Sequence, residues 1–180
     1  MKPIALLTTL LLAFVAGAPA SAQQMLSINA FSGIWSGGGI AENEDSVYFQ
    51  TTVRDFDVTI RPEGQGFRID WTTIIRKGGD PNNPNIRRRK STKILLPTGA
   101  PGVFRGAKSG DPLAGKELCW AHIKKSTLSL FLMTIDKDGI YTLQQYDRTL
   151  SGAGMTLTFM SLSDGDRQRV VKGRLIKSAR

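Results

Sequence analysis

From Phe56 onward the chain is written in steps of two, and that period limits it to extended strands more strictly than any other feature. Phe56, Val58 and Ile60 share one face of a strand, with Asp55, Asp57, Thr59 and Arg61 on the other. Past the turn Pro62-Glu63-Gly64-Gln65-Gly66, the residues Phe67, Ile69, Trp71, Thr73 and Ile75 continue the inward series, and Arg68, Asp70 and Thr72 face out. Two runs of matched alternation around a glycine-containing turn make a β-hairpin.

The same grammar predicts two further hairpins. Residues Leu128 to Ile135 and Ile140 to Thr149 flank Asp136-Lys137-Asp138-Gly139, and Met155 to Leu162 and Arg169 to Lys177 flank Ser163-Asp164-Gly165-Asp166. Ser151-Gly152-Ala153-Gly154 joins these two hairpins. Strands are also expected at Phe31 to Ile40, Ser46 to Thr52, Arg87 to Leu96 and Glu117 to Ile123. The count reaches about eight to ten antiparallel strands, with one short helical piece near Pro112 to Lys116. Consecutive hairpins in this number favour a single up-and-down β-barrel over a Greek-key sandwich. In Leu128-Ser129-Leu130-Phe131-Leu132-Met133-Thr134-Ile135 both faces are apolar. Its outer side therefore calls for cover, from the N-terminal segment or from a second copy in a dimer.

The first 22 residues read as a secretory signal peptide: Lys2, an apolar run from Ile4 to Val15, and the small-residue site Ala20-Ser21-Ala22. Cleavage near Ala22 leaves a single domain, residues 23–180, with no transmembrane segment, in the periplasm or outside the cell. The formal net charge of +9 favours encounters with polyanions. In that compartment these are lipid headgroups, lipopolysaccharide, acidic polysaccharide and small anionic metabolites, and nucleic acid is not an expected partner.

The entry Phe31-Ser32-Gly33-Ile34-Trp35 resembles the Gly-x-Trp start of the first strand in lipocalins and related calycins. The resemblance implies that Gly33 and Trp35 close one end of the barrel. An arginine from the last strand then packs on the tryptophan, for which Arg174 is the best-placed counterpart and Arg148 the alternative. The following glycines, Gly37-Gly38-Gly39, are similar to the first strand of nitrobindin-like haem barrels. His122 does not align with the ligand of that family, so no cofactor is assigned. A second lipocalin motif and a disulfide pair are both missing.

Candidate functional residues follow from the barrel. Trp35, Phe56, Val58, Ile69 and Trp71 are the apolar candidates for a ligand wall. In Ile86-Arg87-Arg88-Arg89-Lys90 the charges alternate faces, so Arg87 and Arg89 point one way together. They form either a solvated edge that blocks sheet aggregation or an anion site at the barrel rim.

Catalytic and metal chemistry have little to draw on. The single cysteine, Cys119, and the single histidine, His122, are three apart on a strand and so face opposite sides. One His and one Cys fall short of a zinc site. Asp136 to Gly139 resembles a calcium-loop fragment that turn chemistry already explains. Asp57 and Asp70 are a conceivable carboxylate pair on the outer face. The expectation is a non-enzymatic binding protein for a small apolar or anionic amphiphilic ligand. The alternative is an envelope protein with a filled barrel that contacts a protein partner or the membrane surface.

Overall fold

The computed structural model describes residues 25–43, 52–76, 84–152 and 154–178. The segment read as a signal peptide, most of the strand expected at Ser46 to Thr52, and most of the segment Lys77 to Asn85 lie outside the described residues. A four-residue helix, α1 (Ile28–Phe31), precedes ten strands: β1 (Gly33–Asn43), β2 (Thr52–Glu63), β3 (Gly66–Arg76), β4 (Ile86–Pro97), β5 (Val103–Gly106), β6 (Leu118–Lys124), β7 (Thr127–Ile135), β8 (Tyr141–Ser151), β9 (Gly154–Ser163) and β10 (Asp166–Lys177). Each strand pairs antiparallel with its sequence neighbours, and β10 returns to β1 to close an up-and-down barrel.

The three predicted hairpins form as β2–β3, β7–β8 and β9–β10. In the β7–β8 turn the Asp136 carboxylate accepts from the backbone N–H groups of Asp138 (2.9 Å) and Ile140 (3.0 Å). That is the work of an Asx turn, and it accounts for the apparent calcium fragment. The predicted helical piece is a 3-10 turn at Pro112–Ala114. Two short elements escaped the alternation pattern: α1, which takes Phe31 out of the first strand, and β5, whose four residues are too few to show a period. β5 holds β4 through only three residue pairs, Leu95 to Pro97 against Phe104 to Gly106.

The glycines of β1 mark a close approach. A side chain at Gly37 would land on the carbonyl oxygen of Arg174, and one at Gly39 on that of Lys172. Only glycine lets β10 close the ring at that spacing.

The N-terminal segment corrects one expectation. Its described part, from Met25, covers the end of the barrel, and the described element that lies against β7 is the 3-10 turn Pro112–Ala114: the Leu26 N–H donates to the Lys125 carbonyl (3.0 Å), and Leu26 and Ile28 pack on the core. Outside the ring, Leu118, Met133, Leu143 and Leu162 stand in register as one half-buried apolar row across β6 to β9. In the next row Trp120 stacks on Phe131 with ring centroids 4.8 Å apart, and His122 lies 5.5 Å from the same ring.

Candidate functional site

The barrel interior is packed at one end and hollow at the other. At the packed end Phe31, Trp35, Ile60, Phe67, Ile69, Leu95, Leu128 and Leu175 are all buried, and Phe67 meets Phe104 edge to face at 5.0 Å. Trp35 is the plug, its indole N–H donating to the Phe31 carbonyl at 2.9 Å. The cation over its ring is Lys177, with Nζ 5.3 Å from the centroid. This corrects the expectation for Arg174. Positions 171, 173, 175 and 177 share the inward parity of β10, so Arg174 falls on the outer face and is exposed.

Towards the other end the side chains retreat and leave a cavity of about 300 Å³. Its apolar wall comes from Phe56 and Val58 on β2, Trp71 on β3, Tyr146 on β8, Leu157 and Phe159 on β9, and Val171 on β10. Polar groups gather nearer the opening: Thr73, Ser91, Gln144, Ser161 and Gln168. Three arginines complete the lining, Arg54, Arg89 and Arg169, and no acidic side chain is among the described lining residues. Trp71, Tyr146 and Phe159 form a continuous aromatic band, with successive centroids 5.2 Å and 4.7 Å apart.

Electrostatics at the opening point one way. Arg54 is only 8% exposed, and its Nε has no hydrogen-bond partner among the described residues. Burial, then the positive charges of Arg169 and Arg89, push its pKa down to about 10. Removal from water and like-charge crowding both disfavour the cation, and an anion placed among the three would offset both.

Four of the sequence candidates meet here: Phe56, Val58, Trp71 and Arg89. Ile69 and Trp35 sit in the packed layer, because the cavity begins above them. Arg87 and Arg89 share a face and are both exposed, but only Arg89 is among the cavity-lining residues. Arg54, Tyr146, Leu157, Phe159 and Arg169 were missed. Each holds inward parity on its strand, which could have identified them once ring closure was assumed.

The remaining chemistry-bearing residues separate. Cys119 is buried inside, where burial pushes its thiol up to about 11. His122 stacks on Phe131 outside. Register places Thr72 opposite Asp57 and Thr59 opposite Asp70, so the two carboxylates do not face each other. Asp57 accepts from the Ser36 hydroxyl (2.9 Å), and Asp70 from Arg68 (2.9 Å) and Thr92 (2.6 Å). Among the described residues, no three His, Cys, Asp or Glu side chains converge on a metal-sized site.

A second cleft, of about 250 Å³, opens where β4 runs on beyond its short ladder with β5. Lys93 and Glu117 pair there, beside Cys119.

No protein-family pattern and no curated protein sequence matches the chain. Among solved structures it is similar to a protein of unknown function from the DUF3598 family of Nostoc punctiforme PCC 73102. The TM-score is 0.58 at 14% identity, over 91% of this chain and 53% of that one. The chain thus spans about half the length of that protein, and the likeness is one of fold. Looser similarity extends to the S-type phycobiliprotein lyase CPES of Guillardia theta (TM-score 0.40, 9% identity, 91% of this chain and 99% of that one). It extends also to Rv2717c of M. tuberculosis (TM-score 0.43, 12% identity, 87% of this chain and 100% of that one).

Proposed function

We propose that the protein is an exported, non-enzymatic binding protein that takes a small amphiphile with an anionic end into a lipocalin-like barrel. The observation that carries this reading is the hollow end, where an apolar wall leads up to three arginines with no described acidic residue among them. Burial supplies the affinity: about 200 Å² of apolar ligand surface removed from water contributes roughly 5 kcal/mol. The arginines at the opening raise the encounter rate with an anionic ligand. The volume lies at the lower bound of ligand sites, so the occupant is a short chain or a single small ring system.

The test is mass spectrometry under non-denaturing conditions on the mature protein, isolated from the periplasmic fraction of its native cell. The expected result is a mature mass beginning near Gln23 and a co-purifying anionic amphiphile in one-to-one ratio. Titration of the protein with decanoate and decanol backs it up, and failure of both to bind would remove the reading.

One observation favours a second reading, an envelope interaction protein or homodimer. The half-buried row Leu118, Met133, Leu143 and Leu162, with Trp120 and Phe131 beside it, is an apolar face on the outside of the ring. Sedimentation of Phe131→Asp against the parent chain separates the two readings, because only the second predicts an assembly that this charge dissolves.

A further inference from the structure

One side chain, just behind the cavity wall and not itself part of the lining, is not explained by the packing around it. Arg148 stands on β8 in the same inward series as Gln144 and Tyr146, between Leu128 and Leu157 on the neighbouring strands. It is fully buried. Its guanidinium carbon lies 5.6 Å from the ring centroid of Trp71 and 5.6 Å from that of Tyr146. Those ring faces attract a cation but offer no lone pairs in the plane of its N–H groups. Neither Nε nor either Nη finds a hydrogen-bond acceptor among the described residues. The next residue, Asp147, cannot help: alternation turns it outward, where it accepts from Ser129 (2.6 Å) and Gln145 (2.8 Å). A buried guanidinium without an acceptor is among the costliest groups a core can hold. The residues around it, Trp71, Tyr146 and Leu157, are the same ones that line the inner end of the cavity.

We propose that Arg148 is the anion-receiving group of the barrel, and that the ligand enters head first as a carboxylate on an apolar tail. The two carboxylate oxygens match the paired N–H edge of the guanidinium, and the tail runs back along Phe56 and Phe159 to the opening. Arg54, Arg89 and Arg169 then act as a funnel at the entrance and not as the final seat. For the head to arrive, Tyr146 and Trp71 swing off the guanidinium. The Tyr146 hydroxyl donates to Gln144 (2.9 Å) and also meets Trp71, so the two rings move as a coupled pair. This inference rests on the binding function proposed above and adds to it a headgroup class and a direction.

The test is calorimetric titration of the full mature chain, its Arg148→Met variant and the rim variant Arg54→Gln/Arg89→Gln with decanoate and with decanol. The parent protein is expected to prefer decanoate. Arg148→Met is expected to lose that preference by about tenfold or more while still binding decanol, and the rim variant to keep it. Should the methionine variant not fold, Arg148→Lys serves the same comparison: it keeps the charge without the paired edge, and its preference should also fall. Preference retained in the Arg148 variant and lost in the rim variant would seat the head at the opening. That outcome overturns this inference and leaves the binding function standing, as does equal affinity of the parent for both probes. Binding of neither probe overturns both.

Discussion

The two ends of the barrel are built by the same strands under the same alternation, yet one is solid and the other hollow. At the solid end the inward positions carry Trp35, Phe67, Leu95 and Leu175, and α1 with its buried Phe31 folds over them as a lid of the chain's own making. At the hollow end the same strands continue inward with Arg54, Thr73, Arg89, Ser161 and Arg169. Packed core and open cavity are therefore laid end to end along the barrel, and Arg148 stands at the boundary between them. An eight-to-ten-strand ring encloses more volume than a single layer of small side chains fills, so the choice of polar or bulky residues decides which end stays open.

Substitutions can break this contrast. The largest effect is expected from Phe67→Ala in the solid end, which should cost about 3–5 kcal/mol by denaturant unfolding. Phe159→Ala in the half-buried cavity wall should cost about 1–2 kcal/mol while weakening ligand capture. Equal costs would mean that the hollow end is packed after all.

At the boundary the sign reverses. Arg148→Met should raise stability by about 1–3 kcal/mol, since it replaces a buried cation lacking an acceptor with an apolar chain of similar length. Burial holds the Arg148 pKa down to about 10, well below the ordinary value of a guanidinium. Its cost is thus present in full at neutral pH. The cost lifts only as pH climbs above about 10 towards the ordinary guanidinium range, where the folded chain gives up a proton that the unfolded chain still holds. The Tm advantage of the methionine variant should shrink across that window, and a constant advantage would locate the gain elsewhere.

Arg54→Gln at the rim should stabilise by less, about 0.5–1 kcal/mol, by relieving its repulsion with Arg169 and Arg89. It should also slow association of an anionic probe most strongly at low salt in stopped-flow traces. The smallest effect belongs outside the ring. Arg68 and Thr92 hold the Asp70 carboxyl below the usual range. Its contribution is present above that range and lost as pH falls through it. Because the pair is well screened by solvent, Asp70→Asn should lower stability at neutral pH by less than any substitution above.

Much of this architecture was legible in the sequence because hairpins announce themselves locally. The series from Phe56 to Ile75 contains both its strands and its turn, and the inward set it predicts is the inward set observed. The site was legible only where a strand had already been given a parity, as with Phe56, Val58, Trp71 and Arg89. Depth along the barrel axis was not legible. Ile69 and Trp71 look alike in the pattern, but one belongs to the packed layer and the other to the cavity, and that depends on strand stagger around the closed ring. The partner of Trp35 was chosen by residue type when parity on β10 would have selected Lys177. Arg148 entered as a possible cap for that tryptophan. Its place between Trp71 and Tyr146 depends on contacts across the barrel that no local pattern encodes.

The ring is also uneven around its circumference. Most neighbouring strands are zipped together along most of their length, whereas β5 grips β4 by three residue pairs and β6 by three. A hoop parts at its weakest stave. Amide exchange should start in Val103 to Gly106 and along the unpaired flank of β4, well before the β2–β3 hairpin lets go. The cleft beside Lys93 and Glu117 flanks that same weak seam, so protection there should be lost together with β5.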